Sequence, residues 1–239
     1  MNIALIGYGK MGKEIEEVAI QRGHQILLKI TSANTQDFIK VNFEQIDAAI
    51  EFTAPAVAFE NVKKCIDFSI PVVSGSTGWN ERIKELKDYC DAENGSFLYA
   101  SNFSIGVQIF FIINKLLAQL MESHADYDVS IREIHHTQKK DAPSGTAVTI
   151  AEQIIEILQR KTKWTQENAN SDSEIAIFSE RIDPAPGTHI IKYTSEIDDI
   201  ELKHTAHNRK GFAFGAVLAA EFIRNKKGNF SMSDILGFK

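Results

Sequence analysis

Cysteine is scarce in this chain of 239 residues, which contains only Cys65 and Cys90. Both fall in stretches with helical periodicity, and nothing around them has the spacing of metal ligands. The sequence therefore predicts buried, inert thiols and no metal site. Thiols of this kind are typical of a reducing compartment, so we expect a cytoplasmic protein.

Long apolar runs and an excess of basic residues are also absent. No apolar run approaches the roughly 20 residues that span a membrane. No basic segment precedes the apolar start MNIALIGYG, which disfavours a signal peptide. The formal net charge of −6 argues against general binding to nucleic acid and requires any anion site to be local. With 44% hydrophobic and 24% charged residues, the composition is that of a globular protein.

Short apolar strands alternate with amphipathic helices through the first hundred residues. Helical periodicity begins near residues 10, 55 and 80. The strand candidates around these helices are NIALIG, HQILLKI, DAAIEF, PVVSG and SFLYA. Alternation of this kind predicts a parallel sheet that is covered by helices on both faces.

The pattern changes after Asn102. A long apolar helix covers residues 105–123, and its broad apolar surface predicts burial on several sides, between domains or subunits. A second helix over residues 144–162 follows an alternating strand, and the polar stretch 163–173 is expected to be a mobile loop. Three more alternating segments, EIAIFSERI, THIIKYTS and DIELKHTAH, predict an antiparallel or mixed sheet with one covered face. We therefore expect two domains with a boundary near residue 105.

A glycine-rich motif lies between the first strand and the first helix, where a dinucleotide fingerprint belongs. In such a motif Gly7 permits the tight turn, Gly9 lets the main chain approach a pyrophosphate, and Gly12 lets the helix pack against the strand. The helix N-terminus then offers free amides and a partial positive charge to the phosphates. The alternative is a glycine turn without a ligand. The full motif consists of Gly7, Tyr8, Gly9, Lys10, Met11 and Gly12.

The end of the second strand bears on the choice of cofactor. An acidic residue about 20 positions after the glycines would hold the ribose of NAD, but Thr31 and Ser32 stand there. Nothing at these positions repels a 2′-phosphate, and no arginine waits for one. The choice between NADH and NADPH is therefore open, and we expect both to serve.

The polar stretch EIHHTQKKDAPSGTA, residues 133–147, connects a strand to a helix. Ser144 is a natural N-cap, and Gly145 has no side chain to obstruct a ligand that approaches the amides at the helix start. Such a helix start binds carboxylate or phosphate. One of two adjacent lysines adds a cation, and one of two adjacent histidines adds a proton donor that titrates near neutrality. The alternative is a capped helix preceded by incidental histidines.

Seven stretches of the chain, in order, resemble those of the dihydrodipicolinate reductase family, also called 4-hydroxy-tetrahydrodipicolinate reductases. The resemblance runs nearly end to end, and the run that begins with the two histidines is its most specific part. The chain departs from the family at Thr31 and Ser32, where many members carry an acidic residue followed by a basic one. The seven stretches are GYGKMG, AAIEFTAPA, GSTGW, ASNFSIGV, EIHHTQKKDAPSGTA, HTAHNRKGFAFGA and FSMSDILG.

The resemblance implies an α/β fold with an N-terminal Rossmann domain and a central α+β domain that contains a mixed sheet. Residues 1–105 and 210–239 would form the dinucleotide-binding domain, and residues 106–209 would bind substrate and form a homotetramer. The implied activity is the NAD(P)H-dependent reduction of 4-hydroxy-tetrahydrodipicolinate to tetrahydrodipicolinate in diaminopimelate and lysine biosynthesis. The partners expected are a small dicarboxylate and further copies of the chain, with no nucleic acid and no membrane.

The family's functional residues can be carried over by position. His135 resembles the proton donor, and Lys139 resembles the second acid and carboxylate ligand. The substrate-binding residues are expected to be His136, Ser144, Gly145 and Thr146. The cofactor is expected to contact the glycine motif with Lys10 and Met11, then Thr31, Gly75, Ser76, Thr77, Ala100, Ser101, Asn102 and Phe103. His189 is ambiguous from the sequence and is left unassigned.

Two other functions are compatible with parts of the pattern. Another two-domain Rossmann oxidoreductase, such as a sugar dehydrogenase, typically carries a Glu-Lys-Pro run after a strand of the first domain, where this chain reads VVSGSTGW. A dinucleotide-sensing protein without turnover would need no proton donor, so the histidines and lysines argue against it. An assay of NADPH oxidation separates the three functions.

Overall fold

The computed structural model describes residues 1–237, which divide into two compact units. Unit 1 contains Met1–Ile105 and the described residues from Arg209 onward, and unit 2 contains Gly106–Asn208. Across the described residues, no helix has both the length and the apolar character that crossing a membrane requires.

Eleven strands and seven α-helices are found in the described residues. The strands are β1 (Asn2–Ile6), β2 (Gln25–Ile30), β3 (Ala48–Glu51), β4 (Val72–Ser74), β5 (Ser96–Tyr99), β6 (Asp128–His135), β7 (Lys163–Gln166), β8 (Glu174–Arg181), β9 (Gly187–Thr194), β10 (Asp199–Ala206) and β11 (Gly228–Phe230). The helices are α1 (Lys10–Gln21), α2 (Pro55–Asp67), α3 (Ile83–Ala92), α4 (Ile105–Met121), α5 (Gly145–Ile157), α6 (Lys210–Ile223) and α7 (Met232–Leu236).

Unit 1 is built on a six-stranded sheet in the order β11, β5, β4, β3, β1, β2, and its strands pair in parallel. Ile3 and Leu5 of β1 pack into the core beside α1 and α6, while Ala4 and Ile6 pack into the core beside α2 and α3. A strand that is buried on both faces must be apolar throughout. The predicted parallel sheet is confirmed, and β11, which the sequence did not predict, completes its edge.

Both cysteines are buried in the core of unit 1, as predicted. Burial raises the pKa of Cys65 well above its usual range, and burial raises the pKa of Cys90 to about 11. Thiols that stay protonated at neutral pH are poor nucleophiles and poor metal ligands. Neither cysteine is therefore a candidate for catalysis.

Unit 2 is built on a mixed five-stranded sheet in the order β10, β9, β6, β8, β7. β6 pairs in parallel with β8 and antiparallel with β9. The helices α4 and α5 pack on one face of this sheet through a core that includes Ile131, Ile150 and Tyr193. The predicted mixed sheet is confirmed. Four apolar side chains of α4 stay 41–62% exposed in the single chain, namely Ile109, Ile113, Leu116 and Leu120.

The stretch 163–173, predicted as a mobile loop, begins with a strand, and that part of the prediction is wrong. Its first four residues form β7, which pairs in parallel with β8. The strand forms because Trp164 packs against the core of unit 2 and the Lys163 ammonium lies 2.9 Å from the carboxylate of Glu174. Tertiary contacts thus override a polar local sequence.

Candidate functional site

The glycine motif of unit 1 folds as a tight turn between β1 and α1. Gly7 has a φ of +92°, and a Cβ there would lie 2.0 Å from the carbonyl oxygen of Phe52, so only glycine fits. A Cβ at Gly12 would lie 2.5 Å from the carbonyl oxygen of Gly7, which explains how α1 can begin so close to the turn. Outside residues 8–10, no atom lies within 4 Å of the position that a Cβ of Gly9 would take, and Gly9 is the N-cap of α1. The turn therefore leaves room for phosphates at the helix start.

Two adjoining cavities in unit 1 follow this turn, and Gly9 lines both of them. The larger cavity, of about 730 Å³, is lined by residues that include Gly7, Ile30, Thr31, Phe38, Asn61 and Lys64. The smaller cavity, of about 400 Å³, is lined by residues that include Lys10, Met11, Thr53, Gly75, Ser76 and Thr77. The structure thereby brings most of the predicted cofactor residues to the walls of these two neighbouring cavities.

Residues 100–103 are placed differently, and they are not among the residues that line either cavity. The side chains of Ala100 and Phe103 are buried in the core of unit 1, whereas Ser101 is exposed. A Cβ at Gly215 of α6 would lie 1.8 Å from the carbonyl oxygen of Phe103, so α6 packs directly on this segment. The predicted contact of residues 100–103, including Asn102, with the cofactor stays a prediction.

The charged groups near the end of β2 determine what the larger cavity can offer to a ligand. The Lys29 ammonium lies 2.7 Å from the carboxylate of Glu16, so its charge is largely neutralised. The hydroxyl of Thr31 donates to a side-chain oxygen in the same loop at 2.8 Å. Lys64 and Glu60 of α2 bring one charge of each sign to the cavity wall. A 2′-phosphate here would therefore meet the hydroxyl of Ser32 and a lysine, together with one exposed carboxylate.

In unit 2 the sheet itself gathers the candidates for catalysis. Glu133 and His135 are two residues apart on β6, so their side chains lie on the same face, and both are buried. β9 places His189 opposite Glu133, and β8 places Arg181 opposite His135. One cluster therefore combines a carboxylate, two imidazoles and a guanidinium.

Glu133 is the centre of this cluster. Its Oε2 lies 2.5 Å from Nδ1 of His135, and its Oε1 accepts hydrogen bonds from Arg181 at 3.0 Å and from the amide of Ser144 at 3.2 Å. Burial raises the pKa of Glu133, but hydrogen bonds from His135, Ser179 and Ser144 outweigh this effect and hold the pKa well below its usual range. Glu133 is therefore ionised at neutral pH.

The carboxylate beside Nδ1 leaves Nε2 as the atom of His135 that is available for chemistry. Gly187 of β9 passes close to that atom, and a Cβ at Gly187 would lie 3.0 Å from Nε2. A larger residue would crowd Nε2, so the glycine keeps its surroundings open. The arrangement follows a general rule of proton transfer, in which a carboxylate orients an imidazole through one nitrogen and the other nitrogen exchanges the proton.

His189 lies beside this pair as a neutral imidazole. Its ring centre is 5.1 Å from that of His135, and its Nε2 lies 3.2 Å from the hydroxyl oxygen of Ser144. Burial, together with the neighbouring His135, lowers the pKa of His189 to about 3. His189 therefore contributes shape and hydrogen bonding, but no charge, at neutral pH.

The start of α5 has the form that the sequence predicted. Ser144 is the N-cap, and its hydroxyl oxygen accepts a hydrogen bond from the amide of Ala147 at 3.2 Å. Apart from residues 144–146 and the backbone of α5 itself, no atom lies within 4 Å of the position that a Cβ of Gly145 would take, so the helix can be approached there. Thr146 follows in the first turn. This helix start can bind a carboxylate.

The loop between β6 and α5 holds the other two predicted residues. β6 ends at His135, and His136 is the first residue beyond it. Adjacent residues within a strand point to opposite faces, so two neighbouring histidines can share one site only where the strand ends. Nζ of Lys139 lies 2.9 Å from both carboxylate oxygens of Asp141. The lysine is thus held in place by a neighbour, and a substrate carboxylate would have to replace that neighbour.

Sequence reasoning missed Glu133, Arg181 and His189. Glu133 could have been predicted, because it lies two residues before His135 on an alternating strand and such a spacing puts both side chains on one face. No comparable signal marked the other two residues, because the register of β6 against β8 and β9 is a tertiary property.

The types of ligand in this cluster also suit a metal ion. Glu133, His135 and His189 each have one oxygen or nitrogen atom within 4.8 Å of the others, and zinc accepts carboxylate and imidazole ligands. The close contact of Glu133 with His135, together with its bond to Arg181, gives the carboxylate a role that needs no metal ion.

Two models of one protein family divide the chain between them. The model described as "Dihydrodipicolinate reductase, N-terminus" matches residues 1–103, and "Dihydrodipicolinate reductase, C-terminus" matches residues 106–236. The chain belongs to the dihydrodipicolinate reductase family. The resemblance that seven stretches of the sequence indicated is therefore confirmed.

Relatives within the dihydrodipicolinate reductase family cover nearly the whole chain. The 4-hydroxy-tetrahydrodipicolinate reductase of Christiangramia forsetii is 47% identical over 99% of this chain and 98% of its own length. The protein of the same name from Methanosarcina barkeri is 35% identical over 96% of this chain and 81% of its own length. The similarity thus includes both units.

Solved structures extend the comparison to the fold. A dipicolinate-bound dihydrodipicolinate reductase from Paenisporosarcina sp. TG-14 has a TM-score of 0.76 at 23% identity and covers 97% of both chains. A putative myo-inositol dehydrogenase from Sinorhizobium meliloti has a TM-score of 0.58 at 10% identity and covers 93% of this chain and 87% of its own. Both likenesses show the fold alone. The fold is therefore shared with other dehydrogenases, and the family models separate this chain from them.

Proposed function

We propose that this chain reduces 4-hydroxy-tetrahydrodipicolinate to tetrahydrodipicolinate with NADPH or NADH, in diaminopimelate and lysine biosynthesis. The observation that carries the proposal is the contact of Glu133 with His135, which leaves Nε2 of a buried imidazole beside the open backbone of Gly187. The 4-hydroxy-tetrahydrodipicolinate reductase of Christiangramia forsetii, which is 47% identical, supports the choice of substrate. A sensing protein without turnover would have no use for an oriented proton donor.

Unit 1 would hold the cofactor. Gly7, Gly9 and Lys10 would bind the pyrophosphate at the start of α1, Thr31 would face the adenosine ribose, and residues 75–77 would face the nicotinamide side. The tight turn at Gly7 and the open space at Gly9 fit such a ligand. When bound, the cofactor supplies a hydride.

Unit 2 would hold the substrate. A dianion suits the helix start at residues 144–146 and the ammonium of Lys139, which offer backbone donors and a positive charge. Lys139 would exchange the carboxylate of Asp141 for one of the substrate, so its positive charge stays paired throughout. His136, next to the proton donor, would add a hydrogen bond to the ligand.

His135 would supply the proton. Loss of the 4-hydroxyl as water, together with a proton from C3, would leave a C3=C4 double bond conjugated with the imine. Hydride addition at C4 would then place electron density at C3, and Nε2 of His135 would give its proton to that carbon. The other proton stays on Nδ1, beside the ionised Glu133, so the imidazolium becomes a neutral imidazole in the tautomer that the carboxylate favours. Lys139 would assist as the second acid.

Both reduced cofactors are expected to work, with NADPH equal or modestly better. Thr31 and Ser32 present hydroxyls where a carboxylate would repel a 2′-phosphate, and Lys64 lies on the wall of the same cavity. Specificity constants that favour NADH by more than about a hundredfold, roughly 2.7 kcal/mol of discrimination, would contradict this expectation.

We also propose that the protein is a cytoplasmic homotetramer assembled through unit 2. The helices α4 and α5 pack on one face of its sheet. Phe178 alternates with the core residue Ile177 on β8, so it points to the opposite face, where it is 39% exposed. A sheet face with an exposed phenylalanine suits a partner subunit.

The activity can be tested by following NADPH oxidation while a coupled enzyme generates the substrate in the same reaction. We expect oxidation only when the chain and the coupled enzyme are both present. A sugar dehydrogenase would instead respond to polyols or sugars, and a sensing protein would bind NADPH without oxidising it.

A further inference from the structure

Glu51 is a buried carboxylate that the proposed mechanism does not use. It is the last residue of β3 and is 0% exposed. None of the ion pairs among the described residues involves it. Burial raises its pKa, while hydrogen bonds from Ser74, Thr53 and Ser76 oppose that rise. A buried carboxylate without a cationic partner is costly for a fold, so its retention calls for a specific reason.

The partners of Glu51 are the last residue of β4 and residues that follow β3 and β4. Oε1 accepts hydrogen bonds from the amide of Thr53 at 2.9 Å, from the hydroxyl of Thr53, and from the hydroxyl of Ser76 at 2.8 Å. Oε2 accepts from the hydroxyl of Ser74 at 2.6 Å. The carboxylate therefore ties the segment after β3 to the segment after β4.

Both segments line the smaller cavity of unit 1, through Thr53 and Ser76 among others. Their packing leaves little freedom, since a Cβ at Gly75 would lie 2.2 Å from the ring of Phe52. The Trp79 indole also donates to the carbonyl oxygen of Ser76 at 2.6 Å. The hydroxyl of Ser76 is engaged with Glu51, so the segment keeps one defined conformation at the cavity.

We propose that Glu51 is a positioning residue for the cofactor: it fixes the separation of the segments 52–55 and 75–78 so that they receive the nicotinamide side of the dinucleotide. The inference rests on the proposed cofactor site and not on the proton donor in unit 2. A carboxylate suits this task because it is only an acceptor, and four donors converge on it. Preorganisation of this kind lowers the cost of binding, because the segments need not be ordered by the ligand.

The test is the variant Glu51→Gln, which keeps the size of the side chain. Its NH2 group can face only the Ser74 hydroxyl, which would have to turn and accept, because the amide of Thr53 beside the other oxygen cannot accept. The remaining donors would then share a neutral amide oxygen, which is a weaker acceptor than a carboxylate. We expect the Kd of NADH and of NADPH to rise alike, on the order of tenfold. Energy transfer from tryptophan to the reduced nicotinamide measures both constants, and the KM of the dicarboxylate should stay within about twofold.

Ile50→Val is the matched control, because it trims a buried side chain of the same strand that makes no hydrogen bond to either segment. We expect it to lower the melting temperature without changing either Kd. If Glu51→Gln does not fold, Ser76→Ala removes one donor and should weaken binding of both cofactors by a smaller factor.

Two results would overturn the inference. One is a Glu51→Gln protein that binds both cofactors within about twofold of wild type. The other is that Ile50→Val and Glu51→Gln lose the same amount of stability and weaken cofactor binding by the same factor. Glu51 would then act only through the stability of the fold. Wild-type protein that binds neither cofactor would overturn the proposed cofactor site as well, which distinguishes the two failures.

Discussion

The imidazole of His135 has a carboxylate at one nitrogen and a glycine at the other. His135→Gln keeps the approximate shape and some hydrogen bonding but removes the acid. We expect kcat to fall by about 10²- to 10⁴-fold, the usual contribution of general acid catalysis, with a small change in KM. Steady-state kinetics with the coupled substrate measures both parameters.

Two companion variants make this prediction specific. Glu133→Gln removes the charge that orients His135, so we expect kcat to fall by about ten- to a hundredfold with KM little changed, as for partners that orient an active group. His136→Gln should mainly raise KM. Near wild-type turnover in His135→Gln together with an inactive His136→Gln would mean that the roles within the pair are exchanged.

Lys139 has a different task, because its charge would bind the substrate carboxylate before and during the reaction. Lys139→Ala should therefore raise KM and lower kcat together, by at least about tenfold in kcat/KM. The neighbouring variant Lys140→Ala removes the same charge from an exposed position and should leave both parameters near wild type. Equal losses in the two variants would indicate general electrostatic attraction and no dedicated ligand.

At the scale of elements, the pairing of β6 with β9 buries His189 against Glu133 and His135. Burial lowers the pKa of His189 to about 3, while an unfolded histidine has a pKa of about 6.5. Between these values the unfolded chain binds a proton that the folded chain does not, so stability falls as the pH drops below about 6.5. From pH 7 to pH 5 this amounts to about 2 kcal/mol.

Urea unfolding of wild type and His189→Gln at pH 7 and pH 5 measures this effect. Glutamine does not titrate, so the wild-type protein should lose about 2 kcal/mol more than the variant over this range. The depressed pKa of Glu133 does not interfere, because its contribution is lost only below its unfolded pKa of about 4.3. An identical pH dependence in the two proteins would show that His189 is not buried as a neutral group.

The same elements show what a sequence can and cannot predict. β1, β3, β4 and β5 were found because strands buried on both faces are continuously apolar. The four residues of β7 were not found, because the strand depends on Trp164 packing in the core of unit 2. The helix start at Ser144 was predicted from local capping chemistry. His189 and Arg181 were missed because only strand register brings them to His135.

At the scale of the whole molecule, the proposed tetramer should depend on the open face of the unit 2 sheet. Sedimentation velocity at micromolar concentration should show a tetramer for wild type. Phe178→Glu places a charge on that face, where residue 178 lies beside Arg132 on β6. This face is the one opposite the core, so the variant should still fold and should shift the protein to smaller species. Monomeric wild-type protein under these conditions would contradict the proposal.

In the proposed reaction, one chain moves a hydride from a nicotinamide cofactor to a cyclic dicarboxylate. The most direct test uses NADPH with deuterium at both C4 positions, so that either face of the ring delivers the label. With coupled substrate generation, we expect mass spectrometry to find tetrahydrodipicolinate that carries a single deuterium, at C4. Unlabelled tetrahydrodipicolinate, or oxidised cofactor without labelled product, would show that the hydride does not pass from the cofactor to the substrate.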